Sequence, residues 1–140
     1  VSAYEAPVPQ LALGQALAGV ASACIDVSDG LAADLDHICR ASQIAMEVEA
    51  MAVPLSAAGA VYAQDPGQFG TLLTGGDDYQ LAFTVKPENE HKLKDIGGTA
   101  NVALTRIGVV SQSPEKHYAA RFRDAKGAEI GFENRGYTHL

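Results

Sequence analysis

A chain of 140 residues that is 47% hydrophobic and 19% charged has the composition of one ordinary soluble domain with room for a full core. Its net charge is −7, and the whole excess lies in residues 1–70, where eight acidic residues face one basic residue, Arg40; residues 71–140 hold nine of each. That balance excludes the clustered basic surface that nucleic acid requires, and the lack of a run of about 18 apolar residues excludes a membrane-spanning helix. No basic segment followed by an apolar core opens the chain, so no signal peptide is expected. Cys24 and Cys39 lack metal-ligand spacing and are expected to be buried free thiols, as in a reducing cytoplasm. The chain opens on Val1 and a Pro-bearing connector, Glu5-Ala-Pro-Val-Pro9, and is expected to be the C-terminal part of something longer.

In chain order, Leu11, Leu13, Leu17 and Val20 predict a helix over Pro9–Leu17 ending near Gly19. Ala23 to Val27 predicts a short buried strand that turns at Ser28-Asp29-Gly30 into a helix. In that helix Leu31, Leu35, Ile38 and Cys39 form one apolar face, with Asp36, His37 and Arg40 pointing elsewhere. The turn admits two readings. Asp26 and Asp29 are close carboxylates that suit a hard cation such as Mg²⁺, beside helix N–H groups open to a phosphate. Alternatively, Ser28 or Asp29 simply caps the helix. Asp34 suits the helix dipole or supports the turn, and His37 reads as a surface histidine.

Ile44 to Ala50 alternates as a half-buried strand, with Glu47 and Glu49 on its solvated face. Ser56 is expected to cap a short helix through Val61 or Tyr62, which Asp65-Pro-Gly67 breaks before further helical turns to Leu73. Gly75-Gly76 then permits close approach to a ligand, and Asp77-Asp78 lead into a strand over Tyr79–Val85. These acids are either functional or ordinary turn residues. A helix is expected from Pro87 to Ile96, ended by Gly97-Gly98. Strands follow over Val102–Val110 and His117–Arg123, and the last returns through Asp124-Ala-Lys-Gly127 as Ala128–Phe132. The order α-β-α-β-α-β-α-β-β-β predicts an α+β domain, a layered mixed sheet with helices on one face. No Gly-x-Gly-x-x-Gly, Walker loop or nucleophile–histidine set is present.

Asp26-Val-Ser-Asp-Gly-Leu31, with Asp34-Leu35, Pro54-Leu55 and Gly75-Gly-Asp-Asp-Tyr-Gln-Leu81, resembles the thiamine-monophosphate kinases over nearly the whole chain. It corresponds to their C-terminal domain, shared with aminoimidazole ribonucleotide synthetase. The resemblance implies transfer of the ATP γ-phosphoryl group to thiamine monophosphate, giving thiamine diphosphate in the cytoplasm. It further implies Asp26 and Asp29 as Mg²⁺ ligands, Ser28 as an ATP contact, and Asp77 and Tyr137 as substrate contacts. No residue of this chain is assigned a catalytic role. A homodimer of the full-length protein is implied as well, with no nucleic-acid or membrane partner. Asp77 stands where the family has Glu, one methylene longer, and Gln80 also replaces a Glu. The family's N-terminal half supplies most of the metal and ATP contacts, so these 140 residues alone are expected to fold without catalysing. Two other readings remain: a related synthetase, selenophosphate synthetase or hydrogenase-maturation enzyme, and a non-catalytic binding domain.

Overall fold

The computed structural model describes residues 8–76 and 79–136. Seven residues, Leu11–Leu17, form α1, and Leu13 and Leu17 carry its buried side. The chain leaves this helix through Gly19 at φ 76° and enters β1, Ala21–Asp26. The next helix, α2, spans Leu31–Ser42 and closes on Gln43 in the left-handed conformation at φ 55°. Strand β2 follows over Ile44–Glu49, then a 3₁₀ turn at Ala50–Ala52. Short α3, Ala57–Tyr62, begins as expected, with the Ser56 side chain accepting from Gly59 N at 3.1 Å. Helix α4 is Pro66–Thr74 and strand β3 is Leu81–Val85. A 3₁₀ segment, Pro87–Lys92, runs into α5, Leu93–Ala100, and strands β4, Gly108–Gln112, and β5, Ala120–Arg123, complete the order.

The domain is α+β, and its described strands fall into two sheets. β1 and β3 form an antiparallel pair with Cys24 opposite Phe83 and Asp26 opposite Leu81. The second sheet is mixed: β2 lies centrally, antiparallel to β4 and parallel to β5. Helix α2 contacts β1, β2, β5 and α4, so it is the element on which both sheets are assembled. Its apolar face, Ala32, Leu35, Ile38 and Cys39, meets Met46, Val48, Phe69, Leu73, Ala120 and Phe122 in one core. Ala23, Ile25 and Ala82 bring the inner face of β1–β3 onto that core. α1 lies beside the other face of the pair, where it helps to line a groove with Cys24, Asp26 and Leu81.

Several expectations change. Asp36 does not point away from the core; it is 5% exposed. It flanks the apolar stripe, and an ion pair with Arg135 compensates its charge. Cys24 is exposed, because alternation along β1 turns it outward, while Cys39 is buried. Glu47 is half-buried and is held by Arg123, with Nε to Oε2 at 2.7 Å. Gly97 and Gly98 do not end their helix, which runs on until Asn101 closes it at φ 53°. The strand expected over Val102–Val110 is confined to Gly108–Gln112; residues 102–107 are irregular, and Leu104 lies against Gly97 of α5. The expected return strand is reduced to one bridge, Arg123 to Glu129, with Ile130 N donating to Phe122 O at 2.8 Å. Among the described residues no helix is long and apolar enough to cross a membrane.

Candidate functional site

The acidic turn joins the end of β1 to the start of α2. Gly30, at φ 116°, occupies the position before Leu31 and has no side chain with which to cap the helix. No side chain caps the helix; instead a residue inside it ties down the turn that leads in. Asp34, only 2% exposed, turns its carboxylate back so that Oδ2 accepts from Ser28 N at 2.9 Å and Asp29 N at 3.1 Å. Those two N–H groups are therefore occupied by protein. Asp34 has no Lys or Arg within ion-pair reach among the described residues, so backbone N–H groups are what stabilise its charge.

Three chain segments meet at this turn. The β1–β3 ladder extends past the strand ends, with Val27 N donating to Gln80 O at 2.8 Å and Tyr79 N donating to Val27 O at 3.0 Å. The loop from α4 packs on the turn so closely that a Cβ on Gly30 would stand 2.5 Å from the Thr74 carbonyl oxygen. A Cβ on Gly76 would collide with the carbonyl oxygen of Ser28. The tail packs there as well: a Cβ on Gly136 would stand 2.6 Å from the Asp29 carbonyl oxygen and clash with Ala33. Glycine is required at these approaches because nothing larger fits. Tyr79, at the join, holds φ 51°, an uncommon conformation for an aromatic residue.

Asp26 ends β1 on its exposed face. There it borders a groove of about 530 Å³ whose walls include Leu11, Gly14, Cys24, Tyr79 and Leu81. The lining is largely apolar, with the Asp26 carboxylate as its charged member. Cys24 is surface-exposed, yet the groove walls partly desolvate its thiol and raise its pKa, and the neighbouring Asp26 charge adds to the rise.

Ser28 and Asp29 are half-buried on the turn, and Asp26 lies two residues before Ser28. Asp77 and Tyr137 lie outside the described residues, although Gly76 and Gly136, their immediate neighbours in sequence, both pack on the turn. Asp29, Asp34 and His37 also bring one ligand atom each within 4.8 Å of one another. Asp34 Oδ2 is held by its two amides, however, and the exposed His37 accepts from Arg40 Nη2 at 3.1 Å. His37 is the surface histidine expected.

Charge supports the fit of a hard cation to the turn. Asp26 has no cationic side chain in ion-pair reach among the described residues. Carboxylate oxygens are the donors that Mg²⁺ prefers. Of the two roles the sequence offered Asp34, dipole partner or support for the turn, its contacts with the amides of Ser28 and Asp29 establish the second. Its position, six residues after Ser28 and in the first turn of the helix, was the available signal.

A two-sheet α+β domain with an acidic strand-to-helix turn, closed over by a Gly-Gly loop and a C-terminal tail, belongs to a defined family. The pattern described as AIR synthase related protein, C-terminal domain, matches residues 5–119, and the chain is a member of that family. Its relatives narrow the class. A thiamine-monophosphate kinase of Haemophilus influenzae is 39% identical over 136 residues, 96% of this chain and 40% of that protein. The crystal structure of thiamine-monophosphate kinase from Stenotrophomonas maltophilia K279a superposes with a TM-score of 0.73 and 34% identity, covering 83% of this chain and 35% of that one. AaThiL complexed with AMPPCP and TMP gives the same TM-score, 0.73, at 26% identity, over 99% of this chain and 40% of that one. The chain thus spans about 40% of the length of the curated relatives it matches.

Proposed function

We propose that these 140 residues are the C-terminal domain of a cytoplasmic thiamine-monophosphate kinase, which transfers the γ-phosphoryl group of ATP to thiamine monophosphate and releases ADP and thiamine diphosphate. One observation carries the reading. The Gly-Gly loop before Asp77 and the tail before Tyr137 each pack on the acidic turn through glycine contacts. Residues far apart in sequence thereby share one locality. The kinases among its relatives give the reaction its name.

In this reading Asp26 and Asp29 hold Mg²⁺, and Ser28 contacts ATP. Bound Mg²⁺ supplies neutralisation of the polyphosphate and alignment of attacking and leaving oxygens. The chain's own part is to keep the turn rigid. Asp34 fixes Ser28 and Asp29 by their amides, so the carboxylates need not reorganise when the nucleotide arrives. Asp77 accepts from the exocyclic amine of the aminopyrimidine, and Tyr137 lies beside the ring. A longer N-terminal domain supplies the remaining metal and nucleotide contacts and the dimer interface. No nucleic acid or membrane takes part.

The test uses the intact gene product that contains this chain. With ATP, Mg²⁺ and thiamine monophosphate it forms thiamine diphosphate, while the 140 residues alone form none. Turnover of another phosphorylated substrate by the intact protein, with none of thiamine monophosphate, assigns it instead to another branch of the family.

A further inference from the structure

We infer that Asp36 and Arg135 form a latch that seats the C-terminal tail on the acidic turn, and that both are positioning residues for the thiamine-phosphate side of the site, an inference that rests on the kinase reading above. Asp36 lies on α2 two residues after Asp34, and its carboxylate is only 5% exposed. Arg135 Nε stands 2.6 Å from Asp36 Oδ2, and Arg135 Nη2 donates to Asp36 Oδ1 at 3.2 Å and to the carbonyl oxygen of Ala120. Ala120 N in turn donates to Asp36 Oδ1 at 2.8 Å. The guanidinium carbon lies 5.2 Å from the centre of the Phe132 ring, and Phe132 meets Phe122 edge to face at 5.4 Å.

Arg135 is therefore fixed from several directions, by α2, by β5 and by an aromatic ring anchored in the core. The next residue, Gly136, is the one that touches the Asp29 carbonyl. Releasing the guanidinium would remove the anchor next to Gly136, and Tyr137 follows directly in sequence. Two carboxylates on one helix thus govern two sides of the site: Asp34 sets the turn and Asp36 sets the tail. A partly buried ion pair gives little net stability over an apolar pair of the same shape. Here Nε meets Asp36 Oδ2 in charge contact without hydrogen-bond alignment, and the directional hold comes from Nη2, which donates to Asp36 Oδ1 and to the Ala120 carbonyl oxygen. The latch joins residues 99 positions apart and sits one residue from the contact it controls.

The test takes the intact protein with Arg135→Gln, Arg135→Lys and the double variant Asp36→Asn/Arg135→Gln. KM is measured for thiamine monophosphate and for ATP separately, with melting temperature, and with hydrogen exchange of the segments spanning 28–30 and 134–136. Arg135→Gln is expected to raise KM for thiamine monophosphate about tenfold while KM for ATP stays within about twofold, and to speed exchange in both segments. Arg135→Lys recovers part of the loss. The double variant, having no unpaired buried charge, recovers melting temperature but not KM; it carries the same comparison if Arg135→Gln does not fold. A ratio of the two KM values within about twofold of the parent in these variants overturns the latch, as does recovery of KM together with melting temperature in the double variant. If the parent protein makes no thiamine diphosphate, the kinase reading is what fails. Exchange then decides the latch alone: unchanged protection in both segments refutes it, and faster exchange in both sustains it.

Discussion

Asp34 accepts the amide hydrogen of Ser28 at 2.9 Å across six residues of sequence, so the acidic turn is tied to the helix that follows it rather than capped from before. A second amide, that of Asp29, reaches the same oxygen at 3.1 Å. Removing this carboxylate leaves two N–H groups without their acceptor in a part-buried place. Asp34→Ala should therefore cost about 2–3 kcal/mol of stability in denaturant unfolding. Asp34→Asn retains an oxygen acceptor and should cost about 1 kcal/mol. A loss below about 0.5 kcal/mol for Asp34→Ala would show that the turn stands without it.

The glycine contacts make a sharper test, because they separate close approach from helix propensity. Gly30→Ala meets both a φ of 116° and a carbonyl oxygen 2.5 Å from the new Cβ, so it should destabilise by about 2 kcal/mol or more. Gly76→Ala should do likewise by driving the loop off Ser28. Gly98→Ala is the control: it lies inside α5, a Cβ there meets nothing within 4 Å, and it should stabilise by about 0.5–1 kcal/mol. Equal effects at Gly30 and Gly98 would mean that the turn and the Gly-Gly loop do not press on each other.

The legible parts of the sequence were those with a short period. The apolar run Ala23–Val27 marked β1, alternation marked β2, and Leu31, Leu35, Ile38 and Cys39 marked α2, while the alternation within β1 that turns Cys24 outward went unread. The place of the acidic turn, between β1 and α2, was legible too, because Ser28-Asp29-Gly30 interrupts two apolar patterns of different period. Long-range pairings were not. Asp36 looks solvent-facing by helical spacing alone, and its partner lies 99 residues away. Val102 and Leu104 suggested a strand, but the Leu104 side chain packs near Gly97 of α5, Val102 N donates to the Gly97 carbonyl oxygen, and no ladder partner exists for them among the described residues. Nor does sequence order reveal that the strands divide into two sheets, since β3 returns to β1 across the whole of α2, β2, α3 and α4.

Charge at the turn gives a prediction that distinguishes ligation from scaffolding. Asp26 is exposed and unpaired with any cation among the described residues, so Asp26→Asn removes no protein contact that holds the fold. In the intact protein it should abolish most thiamine diphosphate formation and weaken Mg²⁺ binding in calorimetry. Its melting temperature should stay within about 2 °C of the parent. Asp29→Asn should likewise weaken Mg²⁺ binding. A large fall in melting temperature with Mg²⁺ affinity intact would make these residues structural.

The two thiols should separate by both access and pH. Cys24 is exposed on the groove face and should react with a disulfide reagent in the folded protein, increasingly as pH rises toward its raised pKa. Cys39 is buried and should react only after unfolding. Its thiol is pushed up from 9.0 to about 11, first by burial and then by the Asp36 charge. Between those values the folded state keeps a proton that the unfolded state has released, so unfolding releases a proton and stability falls as pH rises. The thiol's contribution is complete below about pH 9 and is lost by about pH 11. Other groups titrate in that range, so the measurement is the difference in melting temperature between the parent and Cys39→Ala. That difference should shrink between pH 9 and pH 11 and then level off. A constant difference across the window would mean that Cys39 ionises as easily in the folded protein as in the unfolded chain.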